Sequence, residues 1–314
     1  MLGPLIRWSA CRGGSPRLSV FIYHRVLPEP DPLFPGELDR QRFDMQLGWI
    51  RRWFNVMPLA AAVQRLRDGS LPPAAAAITF DDGYADNLHH AAPVLQRHGM
   101  TATLFVATGF LEGGCMWNDR VIAAVRLTRH DALDLPPLLQ EPLPTRTTAE
   151  RQATIGALIR KIKYLEPGER DRTVAEVVAA AGIQLPRDLM LTHDELRQWH
   201  AQGHGVGGHT VNHPILARLA DDQARHEIAT GRDELEALLD TRIALFAYPN
   251  GKPGVDYLPV HATMVRELGF DAAVSTAWGA ATARSPRFEI PRFTPWDATP
   301  ARFGMRLVRN LLTS

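Results

Sequence analysis

The chain is 314 residues long, 45% apolar and 22% charged, the balance of an ordinary globular protein with no long polar stretch to read as disordered. Thirty-five Lys and Arg against 34 Asp and Glu leave a formal charge of +1, which excludes a broad basic face for nucleic acid and an acidic tail. Two cysteines, Cys11 and Cys115, are too few and too scattered for a disulfide framework or a thiolate metal site.

At the N-terminus, Pro4 and Arg7 interrupt the apolar run before it is long enough for a signal peptide, and no later stretch reads as a transmembrane segment. The expected location is cytoplasmic, or peripheral at a membrane. Apolar, β-branched stretches then recur with helix-like segments between them, at 18–23, 76–80, 101–106, 205–207, 243–248, 272–276 and 289–293, with 55–57 as a further candidate. Seven or eight such strands in one unit predict a closed or nearly closed parallel (β/α) barrel, with 1–314 as a single domain. Helix ends are readable. Thr192 and Glu195 form a capping box ahead of Leu196 and Trp199, with Gly203 as the stop, and Thr299-Pro300 opens a C-terminal helix carrying Phe303, Leu307 and Leu311. The 222–239 stretch sets Ile228, Leu235 and Leu239 on one face. Between about 118 and 190 the rhythm breaks, with Pro136, Pro137, Pro142 and Pro144 ahead of a helical stretch at 155–165, which reads as a helical lobe inserted between two barrel strands.

Chemistry concentrates in two places. Ile78-Thr79-Phe80-Asp81-Asp82-Gly83-Tyr84 puts two adjacent carboxylates just past an apolar strand, where barrel residues face a common mouth. Alone, an Asp-Gly pair would be a solvated turn. Far downstream, Gly207-Gly208-His209-Thr210-Val211-Asn212-His213-Pro214 supplies two imidazoles at i and i+4, a spacing that lets both chelate one ion. Without a Glu after the first His this is not the helix-borne protease signature. Asp82, His209 and His213 instead make one carboxylate and two imidazoles, with positions left for water and substrate. His200 and His204 keep a plain structural reading.

These motifs resemble the first two motifs of the polysaccharide deacetylases, carbohydrate esterase family 4, also called the NodB homology domain, whose fold is a distorted (β/α) barrel. The likeness runs from Tyr23-His24-Arg25-Val26 to Pro291-Arg292-Phe293. It implies hydrolysis of N-acetyl groups from sugar residues by a metal-bound water, with Asp81 as general base and Asp82, His209 and His213 holding a divalent metal, zinc first among the choices. Ordinary chemistry agrees, because a divalent ion polarises an amide carbonyl and acidifies its water while a neighbouring carboxylate takes the proton. Phe246-Ala247-Tyr248-Pro249-Asn250-Gly251 resembles the third motif, in which the backbone N–H of Asn250 would stabilise the oxyanion; a plain strand-to-turn exit fits the same residues. His24, at the end of the first strand, reads as a buried core residue or a catalytic one. Tyr84 and Tyr248 inside the motifs are candidate substrate contacts, as is Trp117, which reads equally as a ring for stacking on sugar or as a core plug.

The chain departs from the family pattern twice. Many members carry an arginine that pairs with the base where this chain has Ala247, and Arg292 on the last strand is the expected replacement. No His follows His261, so the family's late acid has no counterpart; His24, Asp119 and a metal-bound water stand as alternatives. The reading is a metal-dependent deacetylase of an N-acetylhexosamine glycan or lipid-linked glycan precursor, in bacterial exopolysaccharide or cell-envelope metabolism. Its rivals are a sugar-binding protein that keeps the metal and has lost turnover, and a metal-dependent hydrolase of another amide or ester. The oligomeric state is not legible.

Overall fold

In a computed structural model that describes residues 2–11, 16–136 and 138–313, the apolar runs of the sequence become strands buried on both faces. Of the predicted features, Pro137 and the two chain ends, 1 and 314, lie outside the described residues. The strands are β1 (Leu18–Tyr23), β2 (Asn55–Val56), β3 (Ala75–Phe80), β4 (Thr103–Val106), β5 (Ala132–Leu133), β6 (Leu143–Pro144), β7 (Gly205–Gly208), β8 (Leu245–Ala247) and β9 (Ala272–Val274). Tertiary packing divides the chain into two compact units. One comprises 1–29, 38–111 and 191–314; the other comprises 30–37 and 112–190.

The first unit holds a parallel sheet in the order β1-β3-β4-β7-β8-β9, with β2 paired to the start of β3. Continuous apolar strands are what a parallel sheet covered on both faces requires. Alternate side chains serve two clusters, as strand period dictates. Phe21, Ile78, Phe80, Leu104 and Phe246 pack outward with the helices. Val20, Ala77, Phe105, Leu245, Ala247 and Val274 form the other cluster with helix Leu59–Asp68. Gly207 is forced by this interior, because a Cβ there would sit 2.5 Å from the Phe105 ring.

The sheet curls until residues 290–293 span its two ends. Ile290 exchanges hydrogen bonds with β9 (Ile290 N to Ala273 O, 2.9 Å; Ser275 N to Ile290 O, 2.8 Å), and Phe293 does so with β1 (Phe293 N to Val20 O, 2.7 Å; Ile22 N to Phe293 O, 3.1 Å). The fold is therefore the distorted (β/α) barrel expected, with seven strands and an irregular eighth position. That eighth position corrects the strand predicted at 289–293. Pro291 has no N–H to give a ladder, and the N–H of Arg292 turns to Ala277 O, so only isolated bridges form at Ile290 and Phe293.

Helix boundaries follow their signals. Thr192 and Glu195 close the predicted capping box on helix His193–Ala201, and Thr299 caps Pro300–Leu312. The second unit contains helices Trp117–Leu127, Thr148–Ile162 and Pro167–Ala181, with the antiparallel pair β5–β6, around Val121, Leu158, Ile162, Val174 and Val177. Helix Leu2–Ala10 carried no clear sequence signal. Among the described residues, no helix is long and apolar enough to cross a membrane.

His204 explains the late start of β4, predicted at 101. Its Nδ1 accepts the Ala102 N–H at 3.2 Å while its ring stacks on Trp199, so it must be neutral, and burial brings its pKa down to about 4. An unfolded His titrates near ~6.5, so between these values the unfolded chain holds the extra proton and stability rises with pH. We expect the melting temperature to drop as pH falls from about 6.5 towards 4, and His204→Gln, which retains an acceptor without the titration, to flatten that slope in thermal denaturation.

Candidate active site

β3 delivers two carboxylates to one turn with opposite duties available to them. The Asp81 N–H continues the ladder to Tyr23 O at 3.0 Å, and the backbone then swings through Asp82 (φ 80°) and Gly83 (φ 97°). On the same sheet β7 ends at Gly208, and the His209 N–H reaches Val106 O at 3.1 Å. Both motifs thus leave the C-terminal ends of their strands, where barrels build their sites.

Asp82, His209 and His213 come together, with one candidate ligand atom from each lying within 4.8 Å of the others. The Nε2 atoms of His209 and His213 both stand 3.4 Å from Asp82 Oδ1. That oxygen is buried and has no hydrogen-bond partner. Nδ1 of His209 lies 2.7 Å from Ala247 O; a carbonyl only accepts, so the ring proton is on Nδ1 and Nε2 of the neutral ring presents its lone pair to the cluster. Burial pulls His213 down to about 4, which leaves it a neutral ligand. Burial also acts to lower His209, but the Asp82 carboxylate 3.4 Å from its Nε2, with Asp81 nearby, outweighs it and raises its pKa. A site that raises the basicity of one imidazole while orphaning a carboxylate oxygen is short of positive charge. These residues fit a divalent cation.

Asp81 points elsewhere. Arg292 grips it with two parallel hydrogen bonds, Nη1 to Oδ1 at 2.7 Å and Nη2 to Oδ2 at 2.8 Å, and both side chains are almost wholly buried. Nε of Arg292 donates to Ser275 O at 3.0 Å, Nη1 also to Thr79 Oγ1 at 3.3 Å, and the guanidinium lies 5.8 Å from the Phe105 ring centroid. Burial would raise the Asp81 pKa, but the Arg292 charge and its hydrogen bonds, with His209, hold it below the ordinary carboxylate range. Asp81 is ionised and fixed in direction.

The histidine loop has a second support that sequence reasoning missed. Glu227, on helix Asp221–Leu239, accepts the backbone N–H groups of Val211 (3.0 Å) and Asn212 (2.8 Å) on Oε2 and the Asn212 side-chain amide (2.8 Å) on Oε1. One turn on, Gly231 lets the helix touch the loop, since a Cβ there would lie 2.8 Å from the Thr210 carbonyl. Thr210 Oγ1 accepts the His213 N–H at 3.1 Å. Thr210 (φ 68°) and His213 (φ 51°) both occupy the left-handed region, so the loop is held in a conformation that it would not choose alone. A Glu amid a charged helix face carries no local signal; the Gly four residues later, inside an otherwise helical pattern, is the one mark of close approach.

The other candidates are placed as follows. His24 is exposed, not buried in a core; Asn87 Nδ2 holds its carbonyl at 2.8 Å, and its charge favours the ionised forms of both Asp81 and Asp82. Asn250 is exposed with φ 58°, its O accepts from Thr276 Oγ1, and its N–H donates to no protein group among the described residues. Tyr84 is buried beneath the Arg25 guanidinium, 4.8 Å from its ring centroid. Tyr248 is fully buried, stacked on Tyr257, with its hydroxyl donating to Phe288 O, so the side chain offers a ligand nothing. Trp117 and Asp119 belong to the second unit, where Trp117 lies under Arg170. His261 is buried and accepts the Leu258 N–H at the start of helix Pro259–Glu267.

A family profile described as polysaccharide deacetylase matches residues 68–273, more than half of the chain. YxkH of Bacillus subtilis (strain 168), a protein assigned to the polysaccharide deacetylases, is 29% identical over 278 residues, 88% of this chain and 70% of that protein. The deacetylase PplD of Streptococcus pyogenes, solved in complex with acetate, has a similar fold (TM-score 0.63, 18% identity, 95% of this chain and 99% of that one). So does IcaB from Ammonifex degensii (TM-score 0.59, 18% identity, 94% and 97%). The matched segment includes Asp81, Asp82 and both histidines but stops short of Arg292.

The loop clamp has a direct test. Glu227→Ala should weaken zinc binding roughly tenfold or more in a competitive chelator titration, as loss of supporting contacts around metal ligands does, with a smaller loss in Glu227→Gln. An affinity unchanged in Glu227→Ala would show that the loop holds its shape without the carboxylate.

Proposed function

We infer that this chain, which belongs to the polysaccharide deacetylase family, removes N-acetyl groups from N-acetylhexosamine units of a glycan, using a divalent cation held by Asp82, His209 and His213. The observation that carries this reading is the buried, unpartnered Oδ1 of Asp82 between two imidazole nitrogens, one residue after a carboxylate locked by a guanidinium. A cation there, zinc by its liking for imidazole with carboxylate, would supply Lewis acidity towards the acetyl carbonyl and acidify a water.

The protein's own groups account for the rest. Arg292 keeps the resting Asp81 ionised and aims it, and Asp81 then takes a proton from the attacking water. The N–H of Asn250, which donates to no protein group among the described residues, is a preformed donor for the oxyanion that develops on the carbonyl oxygen as water attacks the carbon. His24, exposed and with its backbone carbonyl held by Asn87, is the side chain assigned to deliver a proton to the leaving amine. The Arg292–Asp81 pair supports the enzyme reading over a sugar-binding protein without turnover, because it gives the base the partner that Ala247 does not supply.

We place the substrate among bacterial exopolysaccharide or cell-envelope glycans, including lipid-linked intermediates. Acetate, the ligand of the PplD complex, is the product this reaction would release.

Purified protein should release acetate from N-acetylglucosamine oligomers with zinc present, and stop when the metal is chelated. Asp81→Asn should lower kcat at least about 10²-fold, the usual loss when a general base is removed. Zinc-loaded protein that releases nothing from a broad panel of N-acetylated glycans would sink the reading, and release from O-acetylated ones alone would turn it into an esterase.

Arg292→Lys keeps a charge but loses the two-pronged grip. Its kcat should fall by about an order of magnitude or more while zinc affinity stays near that of the parent. A kcat equal to the parent's in both Arg292→Lys and Arg292→Ala would remove Arg292 from the machinery.

A further inference from the structure

Helices Leu2–Ala10 and Pro300–Leu312 lie side by side on Trp53, so close that a Cβ on Gly304 would come within 2.7 Å of Leu2 and 3.4 Å of the Trp53 ring. Each turns one face inward, Ile6 and Ala10 on the first and Phe303, Leu307 and Leu311 on the second. The outward faces are unlike an ordinary protein surface. Leu5, Trp8, Trp278, Trp296, Met305 and Leu312 are exposed there, half of the twelve large apolar side chains that are exposed among the described residues. Trp296 is 70% exposed, Met305 58% and Trp8 57%. Arg306 joins the two remaining tryptophans to the helix, 5.5 Å from the Trp278 ring centroid and 4.9 Å from that of Trp296.

Charge on these helices is one-sided. They carry Arg7, Arg302, Arg306 and Arg309 and no Asp or Glu, in a chain whose charges otherwise nearly cancel. Arg306 is neutralised by Asp297 at 2.5 Å, but Arg7, Arg302 and Arg309 have no ion pair among the described residues. The neighbouring helix Arg40–Trp53 adds exposed Arg51 and Arg52 at its end, while its one acid, Asp44, pairs with Arg97 and His98. Exposed indole and aliphatic groups interleaved with arginine, with acids excluded, match the boundary between anionic headgroups and acyl chains. A watery surface gives no reason for the apolar half, and a purely apolar partner gives none for the arginines.

We propose that this two-helix face docks the protein on an anionic lipid bilayer, with the tryptophans and Met305 in the interface and the arginines on lipid phosphates. The proposal stands on this surface and does not rest on the reading of the metal site.

The full chain should sediment with vesicles of phosphatidylcholine mixed with phosphatidylglycerol but not with phosphatidylcholine alone, its tryptophan emission should shift to the blue on binding, and salt should weaken the interaction. Arg302→Glu with Arg309→Glu should cost about twentyfold or more in vesicle affinity, on the order of fivefold per charge lost. Trp8→Ala with Met305→Ala should weaken binding and reduce the emission shift. Circular dichroism melts would verify that each variant is folded, and their acetate release from a soluble glycan should match the parent, so a failure of docking and a failure of the site reading are seen separately. Equal binding to both vesicle types overturns the proposal. So does a dimer in light scattering that the same substitutions dissolve, which would make this a face between copies.

Discussion

Everything at the site is arranged around one buried ion pair. Arg292 and Asp81 have lost almost all contact with solvent, and the cost of stripping water from two charges normally cancels much of their attraction. The pair survives because nothing on it is left wanting: the guanidinium bonds Ser275 O, Thr79 Oγ1 and both carboxylate oxygens, and Thr79 in turn donates to Phe21 O. Such a pair adds little net stability. It specifies direction, fixing one carboxylate towards the barrel interior and leaving its neighbour Asp82 to face the histidines.

Backbone strain is distributed by the same logic. Of the seven non-glycine residues with positive φ among those described, four are Asp82, Thr210, His213 and Asn250, every one in the three motifs. Left-handed backbone costs such residues on the order of 1 kcal/mol or more and persists only where surroundings over-determine it. At the histidine loop those surroundings are Glu227 and Gly231 on the helix behind it, together with the Thr108 and Gly109 N–H groups that donate to Thr210 O and Val211 O. At Asp82 it is the Ala107 N–H bonded to its carbonyl.

The sequence made the barrel legible because strands buried on both faces are written as uninterrupted apolar runs, and Leu18–Tyr23 was read to its residue. Strand ends were less legible, since they depend on partners elsewhere, as Ala102 does on His204. The cluster of Asp82, His209 and His213 was legible because adjacent acids at a strand end and imidazoles at i and i+4 are local patterns. Tyr248 and His24 show the opposite case. Motif membership marks a position on the chain but not the rotation of a side chain, so one residue turned out enclosed and the other open. Glu227 was illegible for a plainer reason: it acts on backbone fifteen residues earlier, and a carboxylate on a charged helix looks like solvated surface until the loop is laid across it.

Moving the arginine from position 247 to 292 has a physical consequence beyond conserving a contact. Ala247 is on β8, inside a regular stretch of sheet, whereas Arg292 is on the segment that closes the barrel through isolated bridges, interrupted by Pro291. A seam of that kind would be the easiest part of the sheet to open. Opening it here would pull a guanidinium from its carboxylate partner and strand Asp81 in a low-dielectric interior, a penalty of several kcal/mol that the missing ladder bonds could not have supplied. The ion pair thus makes closure of the barrel and orientation of the Asp81 carboxylate a single event, and the weakest seam of the fold is tied shut by the guanidinium that aims it.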